Sequence, residues 1–302
     1  RGLSIERLVI SLYAKGMSVA DIESEMQEIY GINLSTFAIS IITNKVSQAA
    51  TEWQNRPLDS LYMIVWMDSI VFKVRENGKV INKTVYLCVG LNKEGLKEVL
   101  GMWIGKNESA AFWMGVLTDL KARGVEDILI TVTDNLNGFT ETIKSVFPAS
   151  TTQICVVHQI RNSCRYVVWK EKKEFTADLK NIYNAPTKEA AEMELDNFEQ
   201  KWGAKYPYAI RSWRNNWEGL TVFFDFPVEI RKIIYTTNLI ENLNGKIRKY
   251  TKNKLSFPND DALKKSVYLA ITEIEKKWYQ PIWNWALIFN QFITIFENRI
   301  QV

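Results

Sequence analysis

Histidine and cysteine are both scarce in this chain. One His and three Cys among 302 residues leave little for thiol or soft-metal chemistry. Cys88, Cys155 and Cys164 have no short paired spacing, and their odd number argues against a disulfide framework. A reducing cytoplasm is the expected setting. Cys155 and His158 have the spacing of half a zinc site, but nothing supplies the other half, so zinc is not expected. There is no signal peptide, no apolar run long enough to cross a bilayer, no internal repeat and no low-complexity linker. A membrane partner is therefore not expected. Charge also lacks a dominant sign. Lys and Arg total 38 against 34 Asp and Glu, a net charge of +4, which permits nucleic-acid binding without requiring it. The chain opens on Arg1-Gly2 rather than Met, so further sequence is expected upstream.

What is present is a large apolar fraction, 47%, enough for one big domain or two smaller ones. Residues 1–58 read as helices. Ile5, Leu8, Val9 and Leu12 recur at helical spacing, Gly16 breaks the pattern, Ser18 caps a second helix, and Thr36 opens a third. Helix, short glycine turn, helix is the outline of a helix-turn-helix. Packing or dimer contacts explain the same pattern, so DNA reading by this segment is one of two readings.

Residues 59–158 change period. Strands are expected at Leu61–Val74, Val80–Val89, Lys97–Ile104, Asp127–Thr133 and Gln153–Val157, with an Asn77-Gly78 hairpin turn after the first. Helices are expected at Ser109–Arg123 and Phe139–Phe147. The order implies a mixed sheet flanked by helices, an α/β fold. Residues 159–229 show no strand pattern and read as an all-helical stretch. Residues 230–302 are helical too, interrupted at Phe257-Pro258.

Three acids could do chemistry. Asp68 lies in the middle of the first strand, where a charge is seldom buried unless it is paired or binds a metal. Asp134 directly follows the fourth strand, at the edge where α/β sites collect their ligands. A cation is the natural reason to bring two carboxylates together. Glu241 heads a helix in which, from Arg231 to Lys254, there are seven Lys or Arg and no other acid. Arg248 lies two turns further along the same face. Each acid has a plainer reading. Asp68 could sit on an exposed loop, and Asp134, with Asn135, Asn137 and Gly138, could be a turn or a helix cap. Glu241 could complete a capping box with Asn238, and the basic run could be a solvated face.

At these residues the sequence resembles the mutator-type transposases of bacterial insertion sequences. The matching pieces are Asp68–Arg75, Glu98–Gly101, Glu108–Trp113, Thr133–Phe139, Cys155–His158 and Thr236–Asn244. They occur in order, and the likeness covers nearly all of residues 1–290. The resemblance implies an RNase H-like core with a DDE triad, assigned here to Asp68, Asp134 and Glu241. It implies two Mg²⁺ ions per site, with Mn²⁺ able to substitute. It reads 159–229 as an insertion between the second and third acids, which lie 107 residues apart, and 230–302 as the second part of the core. It places His158 beside the active site. Lys73, Arg75, Arg161, Arg165, Lys246, Arg248, Lys249 and Lys252 are the expected DNA contacts. The implied partners are double-stranded DNA, as transposon ends and target, and a second copy of the chain in a homodimer on the bacterial nucleoid. No small-molecule substrate is expected. The resemblance also places further DNA-binding sequence ahead of Arg1.

The implied chemistry is metal-dependent strand cleavage followed by attack of the freed 3′-OH on a second phosphodiester, with the two ions about 4 Å apart. Three rivals remain: a nuclease with the same triad that only hydrolyses, a non-catalytic DNA-binding protein derived from a transposase, and a two-carboxylate glycosidase. The last leaves the basic run after Glu241 unexplained. Aromatics add a further expectation. Of 11 Trp, Trp202, Trp213, Trp217, Trp278, Trp283 and Trp285 are candidates to stack on unpaired bases, although packing is the commoner use of such rings.

Overall fold

The computed structural model describes residues 2–235 and 238–301. Three helices come first: α1 (Gly2–Ala14), α2 (Val19–Glu28) and α3 (Thr36–Asn55). Gly16 turns the chain between α1 and α2 at φ +97°, and a Cβ there would stand 2.6 Å from the carbonyl oxygen of Tyr250. Only glycine fits this turn. Ser18 caps α2 in a full capping box with Asp21, and Ser35 caps α3, which opens at Thr36 as the sequence indicates. Val9, Leu12, Ile22, Met26, Ile39, Ile42 and Val46 bury their side chains together, with Leu269 from far along the chain closing the cluster.

The sheet has five strands: β1 (Leu61–Glu76), β2 (Lys79–Leu91), β3 (Lys97–Gly105), β4 (Asp127–Thr133) and β5 (Thr151–Ile154). Their order is β3-β2-β1-β4-β5. β1, β2 and β3 form an antiparallel meander. β4 runs parallel to β1, and β5 parallel to β4. Asn77 and Gly78 both take positive φ, as a tight primed hairpin turn between β1 and β2 requires. Between β3 and β4 lies α4 (Ala110–Ala122), capped by Ser109, and between β4 and β5 lies α5 (Phe139–Val146). These two helices cover one face of the sheet, packing Trp113, Val116, Leu120, Phe139 and Ile143 on Tyr62, Val65, Met67 and Tyr86. The central strand β1 is thus buried on both faces, which explains its unbroken apolar run.

β5 departs from expectation. It ends at Ile154, whereas the sequence suggests a strand over Gln153–Val157. Cys155 still donates its N–H to Thr133 at 2.6 Å, but Val156 opens helix α6 (Val156–Cys164). A short β-branched run that is apolar throughout does not distinguish a strand from the buried start of a helix. His158 therefore sits in the first turn of a helix and not at a strand end, and the boundary drawn at 158 falls inside α6.

After α6 come α7 (Trp169–Tyr183), α8 (Lys188–Trp202), α9 (Pro207–Asn215), α10 (Trp217–Leu220), a 3₁₀ turn at Val222–Asp225 and α11 (Val228–Tyr235). No strand lies between residues 159 and 229, and α11 spans the boundary drawn at 229. Phe175 is packed by Phe198, Trp202 and Tyr206, at ring-centroid distances of 5.0, 5.4 and 5.6 Å. Trp202, Trp213 and Trp217 belong to this core. Their indole N–H groups are taken by Asp178, Ser163 and Glu192, which removes all three from the candidates for base stacking. Buried Gln153 fastens the region to β5, donating to Leu220 O and accepting from Phe223 N.

The chain ends in α12 (Asn238–Thr251), α13 (Asp260–Glu275) and α14 (Trp285–Ile295). Phe257, between α12 and α13, is bonded on both sides to the far end of β1, through Lys73 O and Arg75 N at 2.8 Å each. Among the described residues no helix is long and apolar enough to cross a membrane. A test of this packing is Phe175→Ala. Removing a fully buried ring with three aromatic neighbours should cost about 3–5 kcal/mol, read as a lower urea midpoint at unchanged m. A loss below about 1 kcal/mol would mean the aromatic cluster does not hold these helices together.

Candidate functional site

The sheet register brings the first two acids together. Trp66 of β1 pairs with Val132 of β4, so two residues further along each chain Asp68 and Asp134 come level on adjacent strands. Neighbouring strands are about 4.8 Å apart. Asp68 lies within the strand, opposite Leu87 of β2, and is only 5% exposed. This excludes the exposed-loop reading. Asp134 follows the end of β4 and accepts a hydrogen bond from the N–H of Leu136 at 3.3 Å. It therefore also does the turn work that its Asn- and Gly-rich surroundings suggest. It does not cap α5, because Gly138 holds that position.

Both oxygens of Asp68 are held. Oδ1 accepts from the N–H of Ser69 at 2.8 Å and faces His158 Nε2 at 3.4 Å. Oδ2 accepts from the side-chain amide of Asn244 at 2.6 Å. The first turn of α6 and the middle of α12 thus both converge on one carboxylate. Burial alone would lower the His158 pKa. The hydrogen bonds to Asp68 and Cys155, with the charge of Asp68, override it and push the imidazole up to about 11. His158 is thereby held toward its protonated form beside Asp68.

A further carboxylate, Glu108, stands in the loop between β3 and α4. It receives the Ser69 hydroxyl at 3.1 Å and the Trp113 indole N–H at 3.3 Å, and it shares a hydrogen bond with Asp134. Burial, the charge and hydrogen bond of Glu108, and the charge of Asp68 push the Asp134 carboxyl up to about 7, against the opposing pull of His158. So Asp68, Asp134, Glu108 and His158 form one electrostatic unit.

Glu241 is placed differently. It is half-buried on α12, three residues before Asn244 and hence one turn from the amide that grips Asp68. Its carboxylate is paired with Arg161 of α6, which lies one turn beyond His158. The position that would cap α12 lies outside the described residues. The capping-box reading of Glu241 with Asn238 therefore lies outside them too. Among the described residues no group of three His, Cys, Asp or Glu is already assembled as a metal cage. Asp68 and Asp134 are brought together, and Glu241 is held one ion pair away.

Lys73, Arg75, Arg161, Arg165, Lys246, Arg248, Lys249 and Lys252 are all exposed. α12 turns Ile240, Leu243 and Ile247 into the core, which leaves its basic residues to solvent. Sequence reading did not single out Glu108, Asn244 or Ser69. Asn244 was detectable at helical spacing from Glu241. Glu108 and Ser69 gave no signal beyond lying next to other marked residues, because only the fold brings the β3–α4 loop to Asp134.

A mixed sheet with paired carboxylates at its strand edge, flanked by helices rich in exposed Arg and Lys, defines a carboxylate-centred α/β site. The family model described as "Transposase, Mutator family" matches residues 2–281, and the chain belongs to that family. It is 44% identical over 292 residues to a probable transposase for insertion sequence element ISRM3-like of Sinorhizobium fredii, covering 96% of this chain and 73% of that protein. The identity to the transposase for insertion sequence element ISRM3 of Rhizobium meliloti is also 44%, with the same coverage. A probable transposase of Corynebacterium diphtheriae is 40% identical over 90% of this chain and 80% of its own length. Among solved structures, a chain from the complex of the simian T-cell lymphotropic virus intasome with PP2A regulatory subunit B56 gamma aligns at 13% identity and TM-score 0.24, over 65% of this chain and 64% of that one. A likeness of that size carries no weight for fold or function.

The Asp134 carboxyl is raised in the fold and ordinary in the unfolded chain. Between about pH 4 and pH 7 the native state therefore holds the extra proton, and stability falls as pH rises through that window. The metal-free Asp134→Asn variant should lack this fall. Its urea midpoint should gain on the wild type between about pH 4 and 7, and parallel midpoints across that range would count against the raised Asp134 carboxyl.

Proposed function

We propose that this chain is a DNA transposase that cuts a strand at insertion-sequence ends and joins the freed 3′-OH to a second phosphodiester, using Asp68, Asp134 and Glu241. One observation carries the reading: Asp68 and Asp134 lie level on adjacent strands while the helix bearing Glu241 grips Asp68 through Asn244. The mixed sheet with helices on it supports an RNase H-like core, with residues 159–229 as its helical insertion. The three short helices before β1 suit a helix-turn-helix-like segment. Cutting and joining require two ends in one complex, so a homodimer acting on the nucleoid in the cytoplasm is part of the proposal.

The donor set suits a hard divalent cation. Asp68 and Asp134 supply oxygen ligands at one spot, and the raised Asp134 carboxyl is the mark of crowded acids without enough positive charge beside them. Asp68, Asp134 and Glu241 would hold two Mg²⁺ ions, or Mn²⁺ in their place. Bound there, such ions lower the pKa of water and stabilise the leaving 3′ oxygen.

The chain's own residues do the rest. Asn244 and the Ser69 N–H fix the orientation of Asp68. Ser69 and Trp113 fix Glu108 against Asp134. His158 donates toward Asp68 and lends positive charge where a phosphate would enter. Glu241 must leave Arg161 to join the other two acids, and Arg161 is then free to take a DNA phosphate. That exchange of partners links completion of the site to the presence of DNA. The exposed Lys246, Arg248, Lys249 and Lys252 hold the backbone on either side.

The deciding experiment is metal-dependent joining of a 3′-OH oligonucleotide into plasmid DNA. Hydrolysis without joining selects the nuclease, and DNA binding with no metal-dependent reaction selects the non-catalytic protein. Asp68→Asn, Asp134→Asn and Glu241→Gln should each lower joining about a thousandfold or more while leaving far-UV circular dichroism unchanged. Near-normal joining by any one of them removes that residue from the triad.

The basic residues of α12 carry a separate expectation. Arg248→Ala with Lys252→Ala should weaken binding to specific and random DNA alike. The double variant should flatten log K against log salt by roughly two units of slope. A slope equal to the wild type's would leave these side chains as plain surface.

A further inference from the structure

Trp169 is 85% exposed at the start of α7, and among the described residues no ring or cation packs on it. Exposed apolar side chains matter when they lie together, as here. Its neighbours Tyr166 and Val168 are also exposed, and the segment is braced from beneath. The N–H groups of Tyr166 and Val168 donate to the hydroxyls of Tyr208 and Tyr206 at 3.3 Å each, and Tyr208 donates onward to Ser163 O at 2.7 Å. Arg165 lies over the Tyr166 ring, 5.5 Å from its centroid, and Tyr166 meets Tyr208 edge-on. The Tyr166 ring is therefore already engaged, and Trp169 is the ring left open on a fixed support.

The position of this support is set by α6. The same helix carries His158 at Asp68 and Arg161 at Glu241, and Arg165 stands two turns, about 10 Å, beyond His158 along the axis. Trp169 follows four residues later, so at most about 14 Å of chain separates it from Arg165. Charge points to the occupant. From Arg161 to Lys173 the chain has Arg161, Arg165, Lys170, Lys172 and Lys173 against a single acid, Glu171. The Glu171 carboxylate is taken by Lys205 and Tyr206, so nothing in the stretch is set to repel a phosphate backbone.

We propose that Trp169 is a stacking platform for one unpaired base of the DNA strand running from the carboxylate site along α6, with Arg161 and Arg165 on the phosphates between. The inference rests on the DNA-joining reading above and adds to it a subsite for single-stranded DNA. A flat exposed indole among cations suits a base, whose π-face stacks whatever its identity, better than it suits a paired duplex edge.

The test compares a blunt duplex with the same duplex bearing a short oligo-dT tail, by fluorescence anisotropy without divalent metal. One stacked base corresponds to about 1–3 kcal/mol, so wild type should prefer the tailed DNA roughly 5- to 150-fold. Trp169→Ala should lose that preference while keeping its affinity for blunt duplex, and Trp169→Phe should keep most of it. Three results would overturn the proposal: no tail preference in wild type, an undiminished preference in Trp169→Ala, or equal weakening on both DNAs together with loss of a dimer in sedimentation. The last would make the surface a contact between copies of the chain. Because the readout is metal-free binding, it is independent of the joining assay. A protein that stacks the tail but never joins strands would keep the platform and lose the transposase reading.

Discussion

Two carboxylates placed side by side where little water reaches set the terms for everything around them. Each loses hydration and each repels the other, and a fold tolerates this only by supplying compensating charge or hydrogen bonds. Here compensation comes from three directions. His158 on α6 brings positive charge, Asn244 on α12 brings an amide donor, and Asp134 is hydrogen-bonded to Glu108. The sheet edge, the helix after β5 and the helix after residue 237 are thus all joined at Asp68. The acids are separated by long stretches of sequence, yet the packing of α6 and α12 is organised about that one buried charge.

The same arrangement explains why Glu241 stands apart from Asp68 and Asp134. A third carboxylate beside Asp68 and Asp134 would raise the repulsion further, and Arg161 offers it a pairing one helical turn away. The site is electrostatically incomplete in a way that added positive charge would correct. Arg161 is exposed enough to change partners, and α6 continues from it to Arg165 and the open indole of Trp169. Family membership, carried by the match across residues 2–281, agrees with a site arranged around DNA phosphates.

Much of this was legible beforehand. The strands β1 to β4 lie close to where alternation and turn residues put them, since a buried strand and a primed Asn-Gly turn each leave a local mark. Ser18 caps the helix it was expected to cap. Asp68 stood out because a charge inside an apolar run needs a reason. The failure at β5 was also local in origin: Val156 and Val157 have strand-like side chains, and the buried position at the start of α6 outweighs their propensity. The tryptophans of the helical region were open to two readings for a related reason. A ring's identity does not say whether it faces core or solvent, and Trp202, Trp213 and Trp217 turned inward while the unremarked Trp169 turned out.

The sequence by itself determined the first four strands and their order, Asp68 within one strand and Asp134 just after another, and the basic character of the helix after Glu241, because periodicity, caps and charge spacing are properties of near neighbours. Only the tertiary structure decided that Glu108 and Asn244 belong to the site, that His158 acts from a helix, and that Glu241 rests on Arg161. Those facts depend on contacts between residues as far apart as Asp68 and Asn244. Such contacts are set by strand register and helix packing, and no local pattern records which distant side chain will share a buried charge.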